Sequence, residues 1–380
     1  MKKLIRKVVI FAILILVFIV LCIVKENPAY AEFYSRNIAS FYIKIAGTVF
    51  GWIPFSIYEF TLIGLGIAIL FYAITILIRL FRRRWKALLH RGLSFLIFTF
   101  ICVDIYVGTA SISYGRSDLP IPQYEGEVSR ELIDETFEYF LDDYNEISRN
   151  LKRDDSGAVV CPYTFDELNR ILKKEYERLD SEYFPSYTPT VKKLLFSRVF
   201  SELHFTGIFW APTGEANVNK DCFPCELPHT MAHEIAHSKG VFRENDANLV
   251  GLYITLTSEN EFLRYSAYYC GFSSLLDIYY LTDYDRFYEN YFRLNPEITN
   301  EYRLVSDFWS SHDLLARLGN WYNNLFLKLN GNENGTGDYS DSSTSENTGI
   351  TDENDRPIYV IKEYSPYQKL FFDTYLNRKN

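Results

Sequence analysis

Three long apolar runs lie within the first 110 residues of the chain. The first, Val8–Val24, has no polar interruption, and the others extend from about residue 60 to 78 and from about residue 93 to 110. Each run is close to the roughly 20 residues that a bilayer-crossing helix needs. The pattern therefore predicts a transmembrane region in residues 1–110, with helices at about 8–24, 60–78 and 93–110.

Basic residues flanking these runs predict their orientation. MKKLIRK precedes the first run, and RLFRRRWKALLHR separates the second from the third. Short basic segments stay on the cytoplasmic side, so we expect a multi-pass protein of the cytoplasmic membrane with its N-terminus inside and everything after Ala110 outside. An alternative makes the first run a secretory signal, because Ala29-Tyr30-Ala31 has the form of a cleavage site. The run is longer than the usual signal core, which favours an uncleaved helix.

Beyond the third run, apolar residues recur at spacings of three and four, which is typical of amphipathic helices packed on a core. Two S/T-x-x-E patterns of the capping-box type add predicted helix starts. Helices are predicted over 129–151, after Thr164–Glu167, after Ser258–Glu261, and over about 283–294 and 305–329. Residues 111–330 are therefore expected to form a mostly helical domain outside the membrane.

Three other segments depart from the helical pattern. Phe205–Asn219 combines aromatic and β-branched residues with Gly and Pro, which predicts one or two strands and a turn. Residues 331–357 are polar and acidic with little to bury, which predicts a disordered linker. Residues 358–380 are expected to dock back as a strand and a helix. The predicted fold class is a mainly α membrane protein with an α+β outer domain that contains a small sheet.

Charge and cysteine content restrict the partners and the chemistry. The formal net charge of -9 argues against nucleic acid as a partner. Outside the spans, Cys161, Cys222, Cys225 and Cys270 are disulfide candidates, and four cysteines allow three pairings. Cys222-Phe-Pro-Cys225 is also compatible with a redox pair, but no strand-then-helix pattern frames it, so structural disulfides are favoured.

The candidate chemistry lies in His233-Glu-Ile-Ala-His237, an H-E-x-x-H motif. Pro228 and Gly240 suit the first turn and the C-terminal cap of a helix from about Leu227 to Lys239. On that helix both imidazoles lie on one face, where they can bind a single zinc ion. Glu234 would then take a proton from a zinc-bound water, which produces a nucleophile near neutral pH.

A catalytic zinc usually has three protein ligands and an open fourth position. Glu244 is the best third candidate, because a turn at Gly240 can bring it back to the metal and it would begin the next helix. Asp246 is the nearest rival. Asn248 would lie one turn after Glu244 on the same face and would orient a ligand.

Two further candidates are weaker. His229 lies one turn before His233, where it would polarise a substrate carbonyl or bind another metal; a simple hydrogen bond to a neighbouring oxygen is the commoner role. Tyr253, with Tyr265 and Tyr268, is a candidate donor to a developing oxyanion. A bare H-E-x-x-H also occurs by chance in ordinary helices, and here its apolar interior, the glycine and the following acid favour a metal site.

These residues also carry a family resemblance. GEANVN, PHTMAHEIAHSKG and RENDANLVGLY resemble the domain of unknown function 3810 family, bacterial membrane proteins with a zinc-peptidase motif. RENDAN is also similar to the R-E-x-x-A-D element of membrane peptidases related to the CAAX-prenyl and heat-shock proteases, which implies that Glu244 is the third ligand. Asn248 stands where those peptidases have aspartate. The metzincin pattern fits as far as Gly240 and fails at Arg243.

The resemblance implies a zincin-like, membrane-anchored metallopeptidase domain with one Zn²⁺ per chain. We expect hydrolysis of peptide bonds in a peptide or protein substrate at the cell surface, beside the lipid bilayer. The segment Phe205–Asn219 would align an extended substrate as an edge strand. Two alternatives stay open: a non-catalytic zinc-binding sensor or scaffold, and a metal hydrolase acting on a non-peptide bond of the cell envelope.

Overall fold

Three helices of the computed structural model are long and apolar enough to cross a membrane, which confirms the three predicted spans: α1 (Lys2–Glu26), α4 (Ile57–Phe81) and α5 (Trp85–Thr109). Most of their apolar side chains are exposed on the protein surface, as lipid contact requires. The chain is a membrane protein by this criterion. The structure describes residues 2–179, 182–331, 335 and 343–379.

Short helices that the sequence did not predict join the first two spans. They are α2 (Pro28–Tyr34), a π-helical turn (Ser35–Ala39) and α3 (Ser40–Gly51). Helix α3 buries Ile43 but exposes Phe41, so apolar residues occupy both of its faces. No amphipathic pattern therefore marks it in the sequence.

The first predicted helices of the domain are confirmed. Helix α6 (Arg130–Asn150) begins at the Ser129 cap, whose side chain accepts a hydrogen bond from the Leu132 backbone at 3.1 Å. Helix α7 (Phe165–Tyr176) has a complete capping box between Thr164 and Glu167. Both helices bury their apolar faces in one large core.

The later helices require corrections. The Ser258–Glu261 capping box is wrong: Asn260 caps α11 (Glu261–Gly271), because its side chain accepts from the backbones of Phe262 and Leu263. The chain then starts new helices inside two segments that the pattern predicted as continuous, since apolar spacing does not register a break that changes the helix direction. The first segment divides into α11 and α12 (Ser273–Thr282), and the second divides between α14 (Pro296–Ser311) and α15 (Ala316–Leu329). Helix α13 (Tyr284–Tyr291) confirms the helix predicted over about 283–294.

The predicted small sheet is present and has three strands. They are β1 (Lys192–Lys193), β2 (Gly207–Trp210) and β3 (Glu215–Val218), with the short helix α8 (Ser197–Glu202) after β1. The strand order is β1-β3-β2, with β1 parallel and β2 antiparallel to the central strand. Within the described strands, β2 is thus an edge strand.

The C-terminal region is more structured than the sequence indicated. Strands β4 (Thr344–Thr351) and β5 (Pro357–Glu363) form an antiparallel hairpin. The predicted disordered linker over 331–357 is therefore wrong for residues 344–351, because backbone pairing orders a strand whose side chains have little to bury. Residues 332–334 and 336–342 of that stretch lie outside the described residues. The predicted strand and helix after 358 are confirmed, the helix being α16 (Pro366–Lys379).

Two buried acids fasten the domain to the membrane helices. Glu59 of α4 accepts hydrogen bonds from the backbone N–H groups of Leu195 (2.8 Å) and Phe196 (2.7 Å). Glu215 of β3 pairs with Lys192, whose Nζ also donates to the Phe50 carbonyl at 3.0 Å. Buried charges of this kind are tolerated only when they are paired. The sheet is thereby held at one end of α4, which we call the domain end of the spans.

Candidate metal centre

Helix α9 (Leu227–Ser238) carries the H-E-x-x-H residues, within one residue of its predicted bounds. Pro228 lies in its first turn, as predicted. Gly240 follows with a φ of +80°, a conformation that favours glycine and reverses the chain. Arg116 holds this turn by donating to the carbonyls of Lys239 and Gly240, both at 3.1 Å. The turn leads directly into α10 (Glu244–Leu256).

Three side chains converge after this turn. Glu244 Oε2 lies 3.2 Å from His233 Nε2 and 3.9 Å from His237 Nε2. The two Nε2 atoms are 3.1 Å apart, and a ligand atom from each of the three residues lies within 4.8 Å of the others. We call His233, His237 and Glu244 the metal trio. The structure thus brings together the residues that the sequence predicted as ligands.

The protonation of His237 suits a ligand. Its Nδ1 lies 2.7 Å from the Val241 carbonyl, an acceptor, so Nδ1 carries the proton. Burial lowers the pKa of His237 to about 4, against the opposing effect of the Glu244 charge. The ring is therefore neutral at pH 7, and the lone pair of Nε2 faces the rest of the trio.

His233 and Glu244 form a complementary pair. Burial alone would lower the pKa of His233, but the hydrogen bond and the charge of Glu244 raise it. Burial likewise acts to raise the pKa of Glu244, and the charges of His237 and His233 lower it. The carboxylate and the imidazole thus each favour the charged form of the other. Two His and one Glu form a donor set that zinc takes in catalytic sites, so these residues fit the metal.

Glu234 is buried in α9 but does not belong to the trio. Its Oε2 has no hydrogen-bond partner, and burial raises its pKa to about 8. Gly207 of β2 lies directly against it: a β-carbon at that glycine would be 2.8 Å from Glu234 Cδ. Gly207 was not predicted as a residue of the site. A glycine inside a predicted strand, which often marks a close approach of another group, was the available signal.

Of the other predicted site residues, His229 and Asn248 line the cavity of the trio, whereas Asp246 does not. His229 lines the same cavity with its Nε2 unpartnered, and burial lowers its pKa to about 4. Asn248 also lines the cavity, and its side chain is among the groups that raise the pKa of His233, after the effects of Glu244. Asp246 pairs with Arg243 and is not a member of the trio. The structure therefore places Glu244, and not this rival, beside the two imidazoles.

The predicted tyrosine donors are wrong. Tyr253 packs against the main core and does not line the cavity. The hydroxyls of Tyr265 and Tyr268 bind Glu301 and Asp143 instead. Tyrosines that do line the cavity come from distant parts of the chain, namely Tyr58, Tyr106, Tyr114 and Tyr322.

The disulfide prediction is also wrong, because all six cysteines are free thiols. Cys161 Sγ donates to the Tyr163 carbonyl at 3.3 Å, and Cys222 Sγ lies 3.8 Å from Thr230 Oγ1. Burial raises the pKa values of the Cys222, Cys225 and Cys270 thiols, so they are protonated at neutral pH. Protonated, largely buried thiols are poor nucleophiles, which argues against the redox-pair alternative as well.

The trio opens into a cavity of about 500 Å³. Besides the trio, Glu234 and His229, its lining includes residues 204–212 around β2 and side chains from three helices: Tyr58 and Leu62 of α4, Tyr106 of α5, and Tyr322 and Phe326 of α15. This size is typical of small-ligand or peptide sites.

The fold and the site together define a membrane protein with a helical domain and a partly buried His-His-Glu cluster that can hold a metal ion. The chain belongs to the DUF3810 family, described as a protein of unknown function, whose model matches residues 34–343. Comparisons with curated proteins and with solved structures gave no match.

Proposed function

We propose that this protein is a membrane-anchored zinc-dependent metallopeptidase that hydrolyses peptide bonds at the outer face of the cytoplasmic membrane. The observation that carries the proposal is the convergence of His233, His237 and Glu244 beside an unpartnered Glu234 in one cavity. The polar residues of an ordinary helix face solvent, whereas these four ionisable groups share one cavity. Such clustering is typical of a functional site.

The metal trio would hold one Zn²⁺ per chain. A zinc bound by three protein ligands lowers the pKa of water in its fourth position to about 7 and polarises a carbonyl. Glu234 accepts the proton of the attacking water and returns it to the leaving amine nitrogen. Its carboxyl group is placed for both steps because it lines the same cavity as the metal trio and its Oε2 has no other hydrogen-bond partner.

Whether His229 is a fourth ligand decides between a structural and a catalytic zinc site. A structural zinc has a closed set of four protein ligands. His229 lies in the cavity, but it is not a member of the cluster whose ligand atoms lie within 4.8 Å of one another. A fourth position is thus left for water or substrate, which favours a peptidase over a zinc-stabilised sensor or scaffold.

Strand β2 would align the substrate. It is an edge strand within the described sheet, and all of its residues, Gly207–Trp210, line the cavity. An exposed strand edge offers backbone N–H and C=O groups to an extended peptide. Such pairing supports peptides as the substrate class over non-peptide bonds of the envelope.

Metal analysis and peptide hydrolysis by the purified full chain test this proposal. We expect one zinc per wild-type chain and loss of zinc in Glu244→Ala. Glu234→Gln should keep the zinc while losing at least a hundredfold in hydrolysis of a fluorogenic peptide library, a factor that general-base catalysis typically contributes. Glu146→Gln, on the exposed face of α6, is the matched control. Full hydrolysis by zinc-loaded Glu234→Gln would contradict the mechanism.

A further inference from the structure

The cavity is bounded partly by the membrane-spanning helices themselves. Tyr58 and Leu62 of α4 and Tyr106 and Ala110 at the end of α5 contribute to its lining. Leu62 lies five residues inside α4, which begins at Ile57. At a rise of 1.5 Å per residue this places Leu62 about 7.5 Å along the span. The cavity therefore reaches into the apolar part of a transmembrane helix.

One side of the cavity is formed by the ends of the membrane-spanning helices α4 and α5. At the basic-loop end, α4 and α5 pack together: the rings of Tyr72 and Phe95 stack with centroids 5.4 Å apart, and the Tyr72 hydroxyl binds the Arg91 carbonyl. Helix α1 packs along α5 through Phe11 and Phe100, whose centroids are 5.2 Å apart. At the domain end, α4 and α5 instead both border the cavity.

An apolar rim surrounds this side of the cavity. Helix α15 places Tyr322 and Phe326 in the lining, and Phe326 contacts Tyr106 of α5 with centroids 5.8 Å apart. The same helix exposes apolar side chains, including Trp321 at 61% and Leu329 at 73%. A short helix with such a face at the end of membrane spans is typical of the bilayer interface. With α4 and α5 across a bilayer, the cavity would lie at the level of the lipid surface.

Strand β2 connects the metal trio to the membrane helices. At one end, Gly207 lies against Glu234; at the other, the Trp210 ring lies 5.1 Å from the ring of Tyr58 on α4. Four strand residues at about 3.3 Å each cover about 13 Å. A peptide paired with β2 would reach from Glu234 to the domain end of α4 in about four residues.

We propose that the substrate is a polypeptide anchored by its own transmembrane helix and cleaved within about five residues of that helix. Its apolar span would lie in the bilayer beside the domain ends of α4 and α5, and the adjoining extended segment would pair with β2. This inference rests on the proposed peptidase function and specifies its substrate class.

The charges of the cavity favour a polypeptide over a lipid. Among its lining residues within the described part of the chain, none is lysine or arginine. Away from the metal trio, a phospholipid headgroup would therefore find no lysine or arginine to bind its phosphate. Backbone pairing with β2 and an apolar contact with α4 and α5 require no cationic partner, which matches what the cavity provides.

Hydrolysis by the full chain in phosphatidylcholine liposomes tests the inference. One peptide is presented in four forms: free, fused directly to a 20-residue Leu/Ala transmembrane helix, fused through a 15-residue Gly/Ser linker, and attached to a fatty acyl chain. We expect the direct fusion to be cleaved at least tenfold faster than the free peptide, and the linker form to lose most of this gain. Equal rates for the free and directly fused forms would overturn the inference, and so would equal acceleration by the acyl chain.

A binding measurement separates this inference from the peptidase proposal. The Glu234→Gln variant is mixed with the fused peptide carrying a photoreactive residue at the start of its span. We expect crosslinks in residues 57–66 of α4 or 103–110 of α5, and crosslinks to α1 alone would overturn the inference. Crosslinks at α4 or α5 without hydrolysis by the zinc-loaded wild type would support this binding site and reject the peptidase function.

Discussion

At the residue scale, the site depends on a glycine, Gly207, because any side chain there would collide with Glu234. Gly207 allows β2 to lie against α9, and the space that a β-carbon would fill is occupied by the Glu234 carboxyl group. This close contact keeps Glu234 buried, and burial is the main reason why its pKa rises to about 8. The proposed general base is thus positioned by a residue that has no side chain.

Gly207→Ala should separate metal binding from hydrolysis. The new methyl group would displace Glu234, and a displacement near 1 Å is enough to lower a rate about a hundredfold. Zinc content should stay unchanged, because the atoms nearest to the new methyl group belong to Glu234 and not to the trio. Both are measured on the purified chain. Gly92→Ala is the control, since a β-carbon there meets nothing within 4 Å. Unchanged hydrolysis by Gly207→Ala would show that Glu234 is not positioned in this way.

At the element scale, the first turn of α4 acts as an attachment point for the domain. Glu59 is almost fully buried, and both of its carboxylate oxygens accept backbone hydrogen bonds from the segment between β1 and α8. An acid near the end of a transmembrane helix gave no sign of this role in the sequence, because its donors lie more than 130 residues away.

Glu59→Ala should destabilise the junction. It leaves the N–H groups of Leu195 and Phe196 without an acceptor, at about 1–3 kcal/mol for each group that stays buried. We expect a lower thermal midpoint in detergent and faster proteolysis within residues 192–202. Glu146→Ala, which removes an exposed acid from α6, should leave both unchanged. A wild-type midpoint for Glu59→Ala would mean that water replaces the carboxylate without cost.

At the scale of the whole molecule, the C-terminal helix completes the core of the domain. Leu370, Phe371 and Phe372 of α16 are fully buried, and the ring centroid of Phe371 lies 5.0 Å from that of Phe140 in α6. The family model ends at residue 343, before this helix. The part of the chain beyond the family match is therefore needed to cover apolar surface of the domain that holds the site.

Phe371→Ala should show this dependence. Truncating a fully buried phenylalanine typically costs about 3–5 kcal/mol through lost burial and the cavity left behind. Urea unfolding of the purified chain measures the change in the free energy of unfolding. Val360→Ala on β5, where the side chain is about half exposed, should cost less than about 0.5 kcal/mol. Equal effects of the two substitutions would mean that α16 does not belong to the core.

Local patterns of the sequence determined much of the fold and the trio. Span length, helical periodicity and the Thr164 cap are properties of consecutive residues, so α1, α4, α5, α6 and α7 were predictable. His233 and His237 share a helix face by their spacing, and Gly240 determines the direction of the turn that returns Glu244. The same local view failed for the break between α11 and α12, for the break between α14 and α15, and for the strand β4, where backbone pairing and turns outweigh the side-chain pattern.

The metal trio and Glu234 could therefore be predicted from the sequence, whereas the residues that surround them could not. Only the tertiary structure placed Gly207 against Glu234, left the four domain cysteines as free thiols, and brought Tyr58 and Tyr106 of the membrane helices into the cavity. Each of these contacts joins residues far apart in the chain, and their meeting depends on how whole elements pack. Spacing along the sequence determines which side chains can share a helix face, and packing alone decides what that face meets.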